Sequence, residues 1–381
     1  MKIIPYGKQF INNDDVKAVS RALKNKIITT GKIVQKFENA LKKYFKARYA
    51  SVCNSGTSAL CLAMLSIGIK KGDVIIMPSM TFVASYNIAK LLGAKVFLAD
   101  VDKSTGQMTP EDVANCCKKF NLKKVKAIVL MYNGGYPENA QNFGDLKKKL
   151  KCFIIEDACH ALGAEYKLKD KNYKIGSCKN SDIATFSLHP LKTITTGEGG
   201  IVTTNSKKID QRIKKFRSLG ISKDTKKHWK YDVLQLGLNF RLNDFQCALG
   251  LSQLKKIKLF LTYRKKVALK YDQELRQIKD ISKPIYSKKN FSAYHLYLIN
   301  IKNFNNKKKD SFIQYMKSKN IILQYHYIPI YKFKIFDDKY IGHNTERYYN
   351  ETISLPIFYG LKNNEQNYII NSIKLFFKKK K

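Results

Sequence analysis

The sequence predicts an α/β protein in which a mainly parallel sheet is covered on both faces by helices and followed by a smaller C-terminal α+β domain. Short apolar runs of strand length alternate with longer helical patterns through the first part of the chain. Past Gly250 that alternation gives way to a long helical stretch and a mixed tail. At 381 residues the chain has room for two domains, expected at 1–250 and 251–381. Neither internal repeats nor a Pro/Gly-rich linker interrupts it, so the two parts are expected to pack together.

Each element follows from local pattern. After Asn13 and Asp14, which can cap a helix start, V-K-A-V-S-R-A-L repeats its apolar residues at helical spacing. A second helical stretch runs through Phe37, Leu41 and Phe45. Strand candidates then come with helices behind them: Tyr49 to Cys53 with a helix from Thr57, and Val74 to Met77 with a helix from Phe82. Lys95 to Ala99 precedes a helix near Pro110, Val125 to Met131 precedes one around Leu146, and Cys152 to Ile155 and Ile183 to Ser187 continue the series. The tail should hold an amphipathic helix over Leu251 to Leu275, strands near His295 to Ile299 and Ile321 to Tyr325, and a final helix ending near Phe377.

Composition excludes several classes of function. With 71 basic and 29 acidic residues the net charge is +42, which suggests nucleic acid or an anionic membrane as partner. Only eight of the basic residues are Arg, leaving 63 Lys, and polyanion readers favour the rigid Arg fork over the Lys point charge. Blocks such as Lys147 to Lys149 and Lys378 to Lys381 therefore read as solvated surface, and no nucleic-acid partner is expected. The excess can still steer an anionic substrate. A hydrophobic content of 44% excludes wholesale disorder, and no run approaches the 18 apolar residues of a membrane span. The opening M-K-I-I-P-Y-G lacks the apolar core of a signal peptide, so a cytoplasmic location is expected. Eight cysteines without C-x-x-C pairing read as free buried thiols, with no metal site.

In sheets of this kind ligands bind beyond the carboxyl ends of the strands. Three such places stand out. Asn54 to Ser58, N-S-G-T-S, places a small-residue turn before a helix, where amide groups and hydroxyls can cradle a phosphate; the same residues also serve as plain helix caps. In I-I-E-D-A-C-H-A-L-G the strand ending at Ile155 delivers Glu156, Asp157 and His160, the last two on one face of a helical turn, although an Asp–His pair is often a cap beside a core histidine. In F-S-L-H-P-L-K-T-I-T-T-G-E-G-G, Lys192 is the lysine whose small and apolar neighbours can desolvate it and lower its pKa, as a lysine condensing with a carbonyl requires. Gly197, Gly199 and Gly200 permit a tight path around it, or form a simple turn.

Together these residues meet the needs of pyridoxal 5′-phosphate: a lysine for the carbonyl, a carboxylate for the pyridine nitrogen, a phosphate cradle and a stacking ring, for which Phe82 is placed after another strand. The segments E-D-A-C-H-A-L-G-A-E-Y, F-S-L-H-P-L-K-T-I-T-T-G-E-G-G and L-G-L-N-F-R-L-N-D-F-Q-C-A-L-G-L-S-Q-L resemble the DegT/DnrJ/StrS sugar aminotransferases, over nearly the whole chain. The resemblance implies the type I pyridoxal-phosphate (aspartate-aminotransferase-like) fold. The opening I-P-Y-G and the late Y-H-Y-I-P-I-Y and I-S-L-P resemble the branch serving pseudaminic acid biosynthesis. That implies transfer of the amino group of L-glutamate, leaving 2-oxoglutarate, to C4 of a UDP-linked 4-keto-6-deoxy-N-acetylhexosamine, with another nucleotide-linked keto sugar as the alternative.

The resemblance also implies roles. Lys192 is similar to the lysine that bonds the cofactor and shuttles the proton, Asp157 to the partner of the pyridine nitrogen, and His160 to the residue near the phenolic oxygen. Gly56, Thr57 and Ser187 are implied phosphate contacts, joined by Asn239 from the second subunit of a homodimer with shared active sites. Tyr6, Lys26 and Thr29, with Gln324, Tyr325, His326 and Tyr327, resemble segments that contact the nucleotide sugar. The sequence departs from the family at M-Y-N-G-G-Y-P, where Tyr132 and Tyr136 replace the usual His and Gln, a change expected to bear on sugar choice. A sugar dehydratase of the same fold is disfavoured, because those relatives replace the lysine with histidine.

Overall fold

The structure, a computed structural model, describes residues 3–223, 226–227, 229–336 and 338–378. Lys379 to Lys381 of the terminal lysine block, and the first two residues of the opening segment, lie outside them.

Two helices open the chain, α1 (Asn13–Leu23) and α2 (Lys32–Phe45). The cap of α1 is Asn12, not Asn13 or Asp14: Asn12 Oδ1 accepts from the Asp15 amide (3.3 Å) and Asp15 Oδ2 accepts from the Asn12 amide (3.0 Å). A reciprocal box needs an acidic or amide side chain three residues after the cap, and only Asn12 has one; Asn13 is followed at that spacing by Val16 and Asp14 by Lys17. Phe37, Leu41 and Phe45 of α2 are fully buried, as their spacing requires.

The central sheet is built from β1 (Tyr49–Cys53), β2 (Val74–Pro78), β3 (Lys95–Ala99), β4 (Ala127–Met131) and β5 (Phe153–Asp157), with β8 (Ile183–Ser187) and β9 (Gly200–Thr204); the hairpin β6 (Glu165–Leu168) and β7 (Lys171–Lys174) stands outside it. Its seven strands run in the order β1-β9-β8-β5-β4-β2-β3, and only β9 is antiparallel to its neighbours. Helices α3 (Gly56–Ser66), α4 (Val83–Leu91), α5 (Pro110–Lys119), α6 (Ala140–Leu150) and α7 (Lys207–Arg217) cover it. The parallel strands are buried almost throughout, which explains why they read as continuous apolar runs. Crossover helices α3 to α6 connect the strands from β1 to β5, and the β6–β7 hairpin stands in the connection to β8, so the carboxyl ends of β1, β2, β4, β5 and β8 gather on one side.

Next come the hairpin β10 (Ile221–Lys223) and β11 (Tyr231–Val233), and then α8 (Asp244–Lys255) and α9 (Ile257–Leu275). The single helix expected over Leu251 to Leu275 is two, because the chain breaks at Lys256, whose Nζ is held by Asn12 Oδ1 (2.8 Å) and Asp15 Oδ2 (2.6 Å). The tail contains β12 (Ile281–Ser282), β13 (Tyr297–Ile301), α10 (Asn306–Ser318), α11 (His343–Glu351), β14 (Thr352–Leu355) and α12 (Asn363–Lys378). No strand forms at Ile321 to Tyr325: Ile321 makes one bridge with Ile4 and Gln324 one with Ser354, so neither side supplies two successive partners. An apolar core of its own joins α9, α10 and α12 to the three-stranded sheet, with Ile4 reaching in from the start of the chain. Among the described residues no helix is long and apolar enough to cross a membrane.

Candidate active site

The sheet edge builds the site one strand at a time. β1 ends in the turn of Asn54 and Ser55, and α3 starts at Gly56. Ser55 Oγ accepts from the Ser58 amide (3.0 Å), so the hydroxyl acts as a cap, and the first-turn residues Gly56 and Thr57, whose amides a helix leaves unpaired, line the cavity. A Cβ on Gly56 would lie 2.8 Å from the Ser187 Cβ, so only glycine lets the start of α3 meet the end of β8 this closely.

At β5 the strand runs two residues further than its apolar run, so Glu156 and Asp157 are its last residues and point to opposite faces. Glu156 turns into the protein, where Oε1 accepts from the Tyr132 hydroxyl (2.9 Å) and burial pushes its pKa up to about 7. Asp157, 2% exposed, faces the site; Oδ2 accepts from Ser85 Oγ and Oδ1 from the Cys159 amide, both at 3.2 Å. No helix follows, contrary to the expectation that Asp157 and His160 share a helical turn. A tight turn closed by Ala161 N to Ala158 O (2.8 Å) brings His160 round instead. Its Nε2 lies 2.7 Å from the Tyr327 hydroxyl, its ring sits 4.3 Å from that of His295, and its buried Nδ1 has no partner. Burial, with the Lys192 charge and His326 adding to it, holds His160 well below the ordinary histidine value.

β8 ends at Ser187 and leads into the loop that carries Lys192, whose amide donates to the His189 carbonyl (2.9 Å). Thr195 Oγ1 fastens the loop by donating to the Leu188 carbonyl (2.9 Å) and accepting from Gly197, where φ is +80°. On Gly200 a Cβ would collide with the Ser55 carbonyl, which locks this loop against the β1 turn. Burial lowers the pKa of Lys192, Cys159 and Asp157 oppose it, and Arg264 adds to it. This is the depression that its small, apolar sequence neighbours predict.

These groups converge on a cavity of about 350 Å³. Of the expected cofactor residues, Gly56, Thr57, Phe82, Asp157, His160, Ser187 and Lys192 line it. Tyr6, His326 and Tyr327 line it as well, and an adjoining groove adds Gln324 and Tyr325. Lys26, Thr29 and Asn239 do not: all three are exposed, Thr29 bridging Asn243 and Asn239 bridging Ser218. Tyr132 and Tyr136 stay out of the cavity too, Tyr132 on Glu156 and Tyr136 stacked on Tyr286 at 3.5 Å, so the departure from the usual loop puts neither side chain against the ligand space. Sequence reasoning missed Ser85, Cys159 and His295. Only Cys159, inside the Asp157–His160 segment, had a local signal; Ser85 and His295 reach the site through packing. Among the described residues no group of three or more His, Cys, Asp or Glu side chains is placed to hold a metal ion.

Residues 9–374 match the sequence profile of the DegT/DnrJ/EryC1/StrS aminotransferase family. The UDP-4-amino-4,6-dideoxy-N-acetyl-beta-L-altrosamine transaminase of Campylobacter jejuni (strain 81-176) is 37% identical over 366 residues, 93% of this chain and 92% of that one. GDP-perosamine synthase of Escherichia coli O157:H7 is 31% identical over the whole of both chains. Among solved structures, the Helicobacter pylori PseC aminotransferase, involved in the biosynthesis of pseudoaminic acid, superposes with a TM-score of 0.90 at 30% identity, covering 99% of this chain and 100% of that one.

Proposed function

The chain belongs to the DegT/DnrJ/EryC1/StrS aminotransferase family, and from that membership we propose that it moves the amino group of L-glutamate to C4 of a UDP-linked 4-keto-6-deoxy-N-acetylhexosamine in pseudaminic acid formation. It is a sugar aminotransferase of the type I fold, and its cofactor is pyridoxal 5′-phosphate. The observation that carries the reading is the meeting of Lys192, Asp157, Ser187 and the start of α3 in one cavity.

The residues fit the cofactor. The start of α3 at Gly56, with Thr57 and Ser187 beside it on the cavity wall, suits the phosphate; Asp157, held by Ser85, suits a protonated pyridine nitrogen; Phe82 can cover a ring face. His160 suits the phenolic oxygen. When bound, the cofactor supplies an electron sink for the carbon that loses its proton, and carries the nitrogen between the two substrates. Lys192, its pKa lowered by burial, is the base within the cavity, taking a proton from glutamate's α-carbon in one half-reaction and delivering one to the sugar's C4 in the other. The exchange balances without an outside reductant: glutamate's α-carbon gives up its hydrogen and nitrogen and takes an oxygen from water to become 2-oxoglutarate, and the sugar's keto carbon gains a hydrogen and the nitrogen and releases its oxygen as water. Tyr6, His326 and Tyr327, with Gln324 and Tyr325 in the adjoining groove, take the sugar nucleotide.

Exposed Asn239 and the exposed apolar side chains of Tyr231, Val233, Leu234 and Leu236 beside it support a homodimer in which Asn239, Lys26 and Thr29 serve the partner's cavity. Eight free thiols agree with the reducing conditions of the cytoplasm. Residues 1–250 act in this reading as the cofactor part and 251–381 as the small domain, whose core draws on residues 267–376. The full-length match to GDP-perosamine synthase favours a second reading, a different nucleotide-linked keto sugar. The test is to incubate the holoenzyme with glutamate and, in parallel, each epimeric UDP-4-keto-6-deoxy-N-acetylhexosamine and a GDP-linked keto sugar, follow 2-oxoglutarate and identify the amino sugar. Turnover of the UDP sugar supports the first reading; turnover of a GDP-linked keto sugar alone supports the second.

A further inference from the structure

Outside the cavity, one lysine stands apart: among the described residues only Lys309 is a buried lysine. Lys309, on α10, is 1% exposed and among the described residues has no salt bridge. Its Nζ lies 3.8 Å from the ring centre of Tyr349 and 4.4 Å from that of Tyr325, and it donates to the Tyr349 carbonyl. The neighbouring Asp310 accepts from the Tyr325 hydroxyl at 2.5 Å. Two consecutive residues of α10 thus hold one tyrosine at its face and at its tip. A desolvated ammonium gains most from aromatic faces where water cannot compete. Its pKa, pushed down to about 8 by burial, agrees with that desolvation.

Tyr325 immediately precedes His326 and Tyr327, which line the cavity. The same short segment is tied by His326 Nδ1 to Ser354 Oγ (2.8 Å), by the bridge between Gln324 and Ser354, and by Asn133 Nδ2 to the His326 carbonyl (3.4 Å). Lys309 lines neither the cavity nor the groove beside it.

We propose that Lys309 is a positioning residue for the sugar-nucleotide side of the active site, clamping Tyr325 so that His326 and Tyr327 are held at the cavity wall. The proposal rests on the sugar-nucleotide reading of residues 324–327. Lys309 acts only on the half-reaction that involves the sugar; the glutamate half-reaction, served by Lys192 and Asp157 on the sheet edge, does not sense it.

The test uses the holoenzyme and the variants Lys309→Met, which keeps length and loses charge, and Lys309→Arg, which keeps a cation able to stack. With Lys309→Met, the KM for the keto-sugar nucleotide should rise about tenfold while the rate of the glutamate half-reaction stays within about twofold, and Lys309→Arg should recover most of the loss. Amide hydrogen exchange over residues 321–330 should be about tenfold faster in Lys309→Met and near wild type in Lys309→Arg. If Lys309→Met folds poorly, Asp310→Ala, which frees the tip of Tyr325 and touches neither the cavity nor the groove, should give the same split. An unchanged KM and unchanged exchange overturn the clamp, as does an equal fall in both half-reactions. Should the wild type turn over no nucleotide keto sugar, the proposed function fails, and the exchange measurement still decides whether Lys309 clamps the segment.

Discussion

The cavity has two walls made in different ways. One is the carboxyl edge of the parallel sheet, where Asp157 and Ser187 end buried strands and Lys192 follows on a loop fastened by its own hydrogen bonds. The other is the segment 324–327, which belongs to no strand and is held by a single backbone bridge from Gln324 to Ser354 and by the side chains of Ser354, Asn133, Lys309 and Asp310. A ladder of backbone bonds fixes position whatever the side chains are, whereas side-chain ties can be exchanged one at a time. In the proposed reading the difference is a division of labour: proton transfer is assigned to the rigid wall, and substrate choice to the adjustable one.

The largest effects should come from breaking the sheet wall. Lys192→Ala removes the base and should lower both half-reactions by at least ~10³-fold in single-turnover kinetics. Next, Asp157→Asn removes the charge that faces the cavity and should cost about 10²-fold in both, again without favouring either substrate. Gly56→Ala forces a methyl against Ser187 and should destabilise the fold by ~1–3 kcal/mol on chemical denaturation and weaken cofactor retention in dialysis.

On the other wall the effects should be smaller and one-sided. Ser354→Ala unties His326 and should raise the sugar-nucleotide KM by about threefold with the glutamate half-reaction untouched, at a cost of ~1 kcal/mol in stability. An equal loss in both half-reactions would erase the contrast between the walls.

Acidification sharpens the comparison, because histidines from both walls meet. Burial holds His160 and His295 well below 6.5 and His326 down at about 3. Below the ordinary value the unfolded chain takes up protons that the folded chain refuses, so this contribution to stability is intact above about pH 6.5 and is lost as pH falls from there towards 3. Thermal midpoints at pH 7 and pH 5 should therefore differ, and His295→Gln should narrow the gap; a gap unchanged by that substitution would remove His295 from the account.

Much of this was legible in the sequence. The strand and helix alternation, Lys192 in its apolar loop and Asp157 at a strand end are local patterns, and each is where its neighbours in the chain place it. Illegible were the matters decided by a partner far away. The strand expected at Ile321 to Tyr325 failed because its two sides face Ile4 and Ser354 rather than one neighbour. Asp157 and His160 reach one cavity through a turn, not a helix, because Asp157 is itself the last, extended residue of β5.

By itself the sequence determined the parallel sheet and the places of Lys192, Asp157 and the turn at residues 54–58 on its edge, since period and burial act over a few residues and crossover connections are short and one-handed. Only the tertiary structure decided that Ser85 holds Asp157, that His295 lies against His160, and that a buried Lys309 grips Tyr325. Those contacts join residues well beyond the reach of one helical or strand pattern, Asp157 and Ser85 or His160 and His295 most of all. Their strength depends on excluding water, which no local stretch of chain can do alone.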